Sequence, residues 1–206
     1  MDYLPIIGIV FVTHLLAVMS PGPDFVVVLK NAIQYNRKIA IWTSLGISSG
    51  ISIHVFYSIA GVAYLIKTNE YIFNIIRYLG ALYLIYLGIS SIREQHQKLK
   101  IDQEQNKKTI DYFRALRIGF LTNLLNPKAS LFFLSIFSVV IPPKIPNHVL
   151  LIISIMLIVV TFIWFCIVSM LFTQNKVIQS YEKHETIFIK AFGVLLIVLG
   201  ISIALV

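Results

Sequence analysis

The sequence predicts an all-α integral membrane protein with six transmembrane helices. Of its 206 residues, 58% are hydrophobic and only 13% are charged, which is about half the ~25% charged share of a soluble domain. The apolar residues also form blocks of roughly the 20 residues that a helix needs to cross a ~30 Å hydrocarbon core. These blocks lack the period-2 alternation of barrel strands, so we expect helices.

Six apolar blocks are long enough to span the bilayer. They are Leu4 to Leu29, Ile39 to Ile66, Tyr71 to Ile92, Phe113 to Ile141, His148 to Thr173, and Thr186 to Val206. We expect the first block to be retained, because it lacks the basic start and small-residue cleavage site of a signal peptide. Cys166 is the single cysteine, which excludes an intrachain disulfide and a cysteine-rich metal or redox site.

The net charge of +8 indicates membrane orientation. Most of the 17 Lys and Arg residues lie in the first, third and fifth connections between the predicted spans. By the positive-inside rule, these connections are cytoplasmic and both termini lie outside. No nucleic-acid partner is therefore predicted from the basic composition.

A long polar stretch divides the chain into two halves of three spans each. The expected units are a first repeat (1–92), a polar cytoplasmic linker (93–112) and a second repeat (113–206). Because three is an odd number, the second half enters the membrane in the opposite orientation to the first. Such a 3+3 inverted repeat is common among secondary transporters, which place the substrate site where the halves meet.

Spans one and four each contain a proline motif that should break the helix, because proline removes a backbone donor and clashes with the preceding turn. The motifs are Ser20, Pro21, Gly22, Pro23 and Asp24 in span one, and Asn126, Pro127 and Lys128 in span four. Ser20 and Asn126 are suitable N-caps, each directly before a proline at the first helical position. Counting from Lys30 and Arg117 at about 1.5 Å per residue places both breaks near the membrane midplane. Simple proline kinks are the alternative.

Two charged residues at these breaks are not explained by topology. Asp24 is the only acidic residue within a predicted span, and Lys128 is the only basic residue near the midplane; intramembrane charges indicate function by default. Asp24 falls in the first turn of its half-helix, where the helix dipole favours an anion, whereas Lys128 is disfavoured at the corresponding place. Lys128 therefore needs Asp24 or a substrate carboxylate as partner. The alternative is a fixed Asp24 to Lys128 pair that only stabilises the bundle.

Other polar and small residues within the spans give weaker signals. Predicted helix-packing positions are Gly46, Gly50, Gly80 and Gly88, since small residues allow close helix approach. His54 lies on the same face of span two as Gly46 and Gly50. It could relay protons or form a hydrogen bond across the bundle. No functional role is assigned to His14, which we expect to be structural, or to Arg77.

The sequence resembles the LysE/RhtB family of bacterial amino-acid exporters. The residues that carry the resemblance are Ser20-Pro21-Gly22-Pro23-Asp24-Phe25, Arg37-Lys38, Leu45-Gly46-Ile47-Ser48-Ser49-Gly50 with His54, Tyr78-Leu79-Gly80-Ala81-Leu82-Tyr83-Leu84, Tyr86-Leu87-Gly88, Gly119-Phe120-Leu121-Thr122-Asn123-Leu124-Leu125-Asn126-Pro127-Lys128-Ala129, and Leu131-Phe132-Phe133. The resemblance implies a six-span carrier of the bacterial inner membrane that exports amino acids or their derivatives, energised by an ion gradient. The sequence departs from the family pattern at Ser135 to Val140, where members usually carry a Phe-x-Pro-Gln-Phe-like stretch.

The motifs and the resemblance together predict proton-coupled export of a small zwitterionic amino acid or derivative, such as homoserine, threonine or a homoserine lactone. Lys128 and the amides after Asn126-Pro127 would bind the carboxylate, and Asp24 would bind the amino group or the coupling proton. The expected partners are the amino acid, the coupling ion and the lipid bilayer, with a homodimer left open. No cofactor, metal site or catalytic residue is expected.

Three other classes of function compete with this prediction. A divalent-cation exporter would need cysteine or carboxylate ligands, and the spans offer only Cys166 and Asp24. An intramembrane enzyme would need a nucleophile with its base, or a carboxylate pair, and neither is evident. A membrane scaffold without transport activity predicts that the charges at the breaks are replaceable.

Overall fold

The computed structural model describes residues 3–93, 110–142, 144–172 and 175–204. Within these ranges the regular secondary structure is entirely helical. The helices are α1 (Leu4–Met19), α2 (Pro23–Gln34), α3 (Arg37–Thr68), α4 (Glu70–Arg93), α5 (Tyr112–Leu124), α6 (Pro127–Val139), α7 (Asn147–Leu171) and α8 (Asn175–Ala204). Most of the predicted linker 93–112 lies outside the described residues.

The helices agree with a multi-pass membrane protein. Within the described ranges, the segments Arg37–Leu65, Tyr71–Arg93 and Asn147–Leu171 are long and apolar enough to cross a bilayer. Counting each bent pair, α1 with α2 and α5 with α6, as one span brings the number up to five. The apolar part of α8, Thr186–Ser202, is shorter. The all-helical membrane class is thus confirmed, whereas the six-span repeat stays a prediction.

Both predicted helix breaks are present. The axes of α1 and α2 differ by 53°, and those of α5 and α6 by 58°. At the second break Asn126 is the N-cap as predicted, because its Oδ1 accepts a hydrogen bond from the Lys128 amide at 3.0 Å. The next helix therefore begins at Pro127, directly after the cap.

At the first break, the prediction that Ser20 is the N-cap is wrong. Ser20 is the C-cap of α1, Gly22 is the N-cap of α2, and Pro23 takes the first helical position. The physical reason is the pair of prolines. A residue before proline is pushed into extended backbone, so Ser20 (φ −67°, ψ 136°) and then Gly22 (φ −179°, ψ −177°) are both extended. The helix can begin only after the second of them.

Glycines allow the closest helix contacts. A Cβ added at Gly46 would lie 2.8 Å from the Phe120 nitrogen, so α3 and α5 meet backbone to backbone. Between α4 and α8 the contact is reciprocal. A Cβ at Gly88 would meet the Gly193 carbonyl and the Ile197 side chain. A Cβ at Gly193 would meet the Gly88 carbonyl and the Ile92 side chain. Each glycine thus faces its counterpart and the residue four positions after it, as at a local twofold axis.

Candidate functional site

The acid of the first break is held by amides of the second. Asp24 Oδ2 accepts a hydrogen bond from Asn123 Nδ2 at 2.9 Å, and Asn126 Nδ2 lies 3.5 Å away. Asn123 is in the last turn of α5 and Asn126 caps α6. Hydrogen bonds to an ionised acceptor are stronger than neutral ones. The two breaks are therefore joined through Asp24, although it lies 99 residues from Asn123 in the chain.

Asp24 and Lys128 line one small cavity of about 60 Å³. The polar residues around it are His14, Asp24, Asn123, Asn126 and Lys128, and the others are Ala17, Val18, Ile51, Leu87, Ala129, Phe132, Phe133 and Phe192. This volume holds a few water molecules. The lining of the cavity, mostly apolar with a few convergent polar groups, has the chemical character of a small-molecule site.

The second oxygen of Asp24 distinguishes this site from a closed structural network. Oδ1 is buried and has no hydrogen-bond partner among the described residues. Leaving a buried acceptor unpaired costs about 1 to 3 kcal/mol, and more for a charged group. The Asp24 carboxylate is thus fixed through one oxygen and can accept a donor through the other.

His54 hydrogen-bonds across the bundle at the second break. Its Nε2 lies 3.0 Å from the Asn123 carbonyl oxygen, and its Nδ1 lies 2.7 Å from the Tyr57 hydroxyl. In a continuous helix, the Asn123 carbonyl would accept from the residue four positions later, but Pro127 has no N–H. Because a carbonyl only accepts, Nε2 is assigned the proton, and Nδ1 accepts from Tyr57. The Asn123 carbonyl also accepts from the Asn126 amide at 3.0 Å, so His54 supplies a second donor to it at the break.

The N-terminus of α6 offers fewer amides than the sequence suggests. Pro127 has no N–H, and the Lys128 amide donates to the Asn126 side chain. Ala129, the next residue of α6, lines the cavity. The first two positions of α6 therefore offer no amide for an anion, and the next residue of the helix stands in the cavity wall.

The remaining predicted site residues are not among those that line the cavity. Ser20, Pro21, Gly22 and Pro23 form the turn that precedes α2, and the buried Ser20 hydroxyl has no partner among the described residues. Gly50 lies against Asn123, since a Cβ there would come within 2.5 Å of Asn123 Oδ1. Sequence reasoning assigns no role to Asn123, although it stands three residues before the Asn126 cap in the same motif.

Comparison with known proteins now identifies the family. The model of the LysE type translocator family matches residues 15–206, a range that includes both breaks and every predicted site residue. The chain belongs to this family. It is therefore a membrane transport protein rather than an enzyme, and the resemblance found in the sequence is confirmed.

Several known proteins are similar to this chain over most of their length. The threonine efflux protein of Escherichia coli K12 is 30% identical over 175 residues, covering 84% of this chain and 85% of its own. The threonine efflux protein of Salmonella typhimurium LT2 is 31% identical over 177 residues, with coverage of 84% and 85%. The uncharacterized membrane protein YrhP of Bacillus subtilis 168 is 29% identical over 199 residues, with coverage of 91% and 93%. No solved structure matches the chain.

Proposed function

We propose that this LysE-type translocator exports small zwitterionic amino acids across the bacterial inner membrane. The observation that carries the proposal is the placement of Asp24 and Lys128 in the wall of one cavity. The substrate carboxylate binds Lys128 and the Ala129 amide at the start of α6, where the helix dipole also favours an anion. The substrate ammonium group donates to Asp24 Oδ1, which has no partner within the described structure.

Small neutral amino acids are the substrates that this arrangement favours. Apart from Asp24, Lys128, His14 and the two asparagines that contact Asp24, the cavity is lined by alanine, aliphatic and phenylalanine side chains. A charged substrate side chain would therefore be left without a charged partner. Two relatives bear the name threonine efflux protein, which supports threonine, homoserine or a related derivative as the cargo.

Transport follows from movement of one half of the chain against the other. We propose that 1–92 and 113–206 form a 3+3 inverted repeat of six spans. The similar bends of 53° and 58° and the reciprocal glycine contact between α4 and α8 support it. Asp24 belongs to the first half, and Asn123, Asn126 and Lys128 belong to the second. A rocking motion would therefore remodel the site and change its affinity, which a substrate needs to switch the two states.

The coupling ion in this proposal is the proton. Asp24 binds the substrate ammonium group during the outward step and a proton during the inward step. Export of one amino acid is thereby coupled to the entry of a proton. His54 is a second candidate for proton transfer, although its two hydrogen bonds give it a structural role that needs no proton movement. Cytoplasmic placement of the basic connections, external termini and a homodimer stay predictions.

Efflux measurements on variants that remove each charge test the site. Cells expressing Asp24→Asn or Lys128→Ala should lose at least about nine-tenths of their threonine efflux, since each change removes one charge-assisted contact worth about 1.5 to 3 kcal/mol. Lys30→Ala is the matched control, because this exposed lysine in α2 does not line the cavity. An uncoupler should stop efflux by the wild type.

The same cells discriminate the competing functions. Undiminished efflux by both variants, at wild-type abundance, would refute the assigned roles. A change in tolerance to divalent metals with no amino-acid efflux would favour a cation exporter. No transport phenotype in the wild type would favour a scaffold.

A further inference from the structure

His14 is a cavity residue that the proposed transport cycle does not use. It lies in α1, is only 2% exposed, and precedes the segment 15–206 that defines the family match. Its ring lies beside the rings of Phe132 and Phe133, with centroid distances of 6.5 and 5.6 Å. It lines the same cavity as Asp24 and Lys128.

One nitrogen of His14 is fixed by α7. Nε2 lies 2.8 Å from Thr161 Oγ1 and 3.1 Å from the Leu157 carbonyl oxygen. The Thr161 hydroxyl already donates to the Leu157 carbonyl at 2.9 Å, so both of these oxygens act as acceptors toward the histidine. Nε2 is therefore assigned the proton. The neutral ring then presents Nδ1 as an acceptor.

Nδ1 is buried and has no hydrogen-bond partner among the described residues. The ring cannot turn to change this without giving up both contacts to α7 and disturbing the phenylalanines beside it. His14 thus carries an oriented, unpaired acceptor and lines a cavity whose other polar groups suffice for an amino acid's carboxylate and ammonium groups. A buried polar group of this kind is satisfied when the correct ligand supplies the missing donor.

We propose that His14 Nδ1 accepts a hydrogen bond from the side chain of the transported amino acid, and so selects hydroxylated substrates over isosteric apolar ones. The inference rests on the proposed function, because it places the amino-acid backbone between Asp24 and Lys128. Threonine and valine differ by a hydroxyl in place of a methyl group, so they isolate this contact. Valine would bury Nδ1 against a methyl group and leave it unpaired.

The experiment measures selectivity within one population of vesicles. Proteoliposomes containing the full chain are loaded with equal concentrations of ³H-threonine and ¹⁴C-valine, and the initial rates of release are compared with those of empty liposomes. We expect the wild type to prefer threonine by at least about tenfold, which corresponds to about 1.4 kcal/mol. The ratio of the two rates does not depend on how much protein is incorporated.

Three variants separate substrate contact from structural support. His14→Phe keeps a ring between the phenylalanines and removes both nitrogens, while Thr161 keeps its bond to Leu157. It should lower the threonine to valine ratio about tenfold. His14→Gln keeps an acceptor oxygen and should retain an intermediate ratio. Thr161→Val removes one anchor of the ring but leaves Nδ1 and the Leu157 contact, and should keep the ratio within about threefold of the wild type.

The outcomes distinguish failure of this inference from failure of the proposed function on which it rests. If the wild type releases both amino acids and the ratio in His14→Phe equals that of the wild type, His14 is only structural and the inference is overturned. The same holds if Thr161→Val lowers the ratio as far as His14→Phe does. If the wild type releases neither amino acid faster than empty liposomes, the proposed function fails, and the inference fails with it. Abolition of both fluxes by Asp24→Asn, with a changed ratio only in His14 variants, supports both.

Discussion

Gly50 provides a sharp test of how the site is held, because its missing side chain makes room for Asn123. A Cβ at Gly50 would lie 2.5 Å from Asn123 Oδ1, 3.0 Å from its Cβ and 3.1 Å from its Cγ. All three atoms belong to the side chain that donates to Asp24. Gly50→Ala should therefore displace Asn123 from Asp24, although neither Asn123 nor Asp24 is substituted.

The expected magnitude follows from these distances. Ordinary contact begins near 3.4 Å, so Asn123 Oδ1 must retreat by about 0.9 Å. The bond from Asn123 Nδ2 to Asp24 Oδ2, now 2.9 Å, would then lie outside the usual range of about 2.7 to 3.2 Å. Losing a hydrogen bond to a charged group costs about 1.5 to 3 kcal/mol. Efflux should fall at least about tenfold, and overpacking should lower the free energy of unfolding by about 1 to 3 kcal/mol.

Efflux of threonine and thermal unfolding in detergent are the two measurements. Gly61→Ala is the matched control in the same helix, because a Cβ there has no atom within 4 Å. This control should leave efflux unchanged and raise stability by up to about 1 kcal/mol, since alanine is the better helix former.

A double-mutant cycle decides whether the effect passes through Asn123. Asn123→Ala alone removes the bond to Asp24, and it also removes the oxygen that the new methyl group would strike. Adding Gly50→Ala to it should then cost little further efflux, because the two changes act on one contact. Normal efflux by Gly50→Ala, or full additivity of the two losses, would refute the reasoning.

Three further predictions concern the break, the charges and the topology. His54→Phe removes the side-chain donor to the Asn123 carbonyl, which keeps the Asn126 amide as its other donor, and should lower the free energy of unfolding by about 0.5 to 1.5 kcal/mol; an unchanged melting temperature would contradict this role. Exchanging the charges in the double variant Asp24→Lys with Lys128→Asp should not restore efflux, because two amides favour an acid at the first position, whereas a simple fixed pair predicts rescue. In a Cys166→Ala background, the variant Asn36→Cys should react with impermeant thiol reagents only from the cytoplasmic side. Reaction from the outside would contradict the predicted orientation.

The spans and breaks could be predicted because their signals are local. A helix long enough to cross the bilayer is visible as an apolar block, and proline breaks a helix wherever it stands. The exact start of α2 was missed for an equally local reason. Serine is a favoured N-cap residue, but Pro23 follows Pro21 so closely that the helix begins at the second proline. A proline at the first position selects the residue directly before it, here Gly22, as the N-cap.

The contacts around the cavity could not be predicted, because they join residues that are far apart in sequence. Asparagine is common in loops and helix caps, so Asn123 does not stand out in the sequence. Only the fold shows that its amide reaches Asp24. The unpaired Nδ1 of His14 is likewise a property of its neighbours, since it depends on Thr161 and Leu157 holding the other nitrogen. Sequence reasoning found the charges and proposed their partners, but it could not find the amides that orient them.

The two charges take the same place in their half-helices but differ in how the protein supports them. Asp24 and Lys128 each directly follow the proline that begins α2 or α6. At Asp24 the dipole of α2 favours the carboxylate, and the Asn123 amide bonds it. At Lys128 the dipole of α6 opposes the ammonium group, so an anion bound there interacts favourably with both the lysine and the helix end. In the proposed site, a bound carboxylate would therefore gain more at the second break than an ammonium group at the first. We expect recognition of the zwitterion to depend chiefly on its carboxylate.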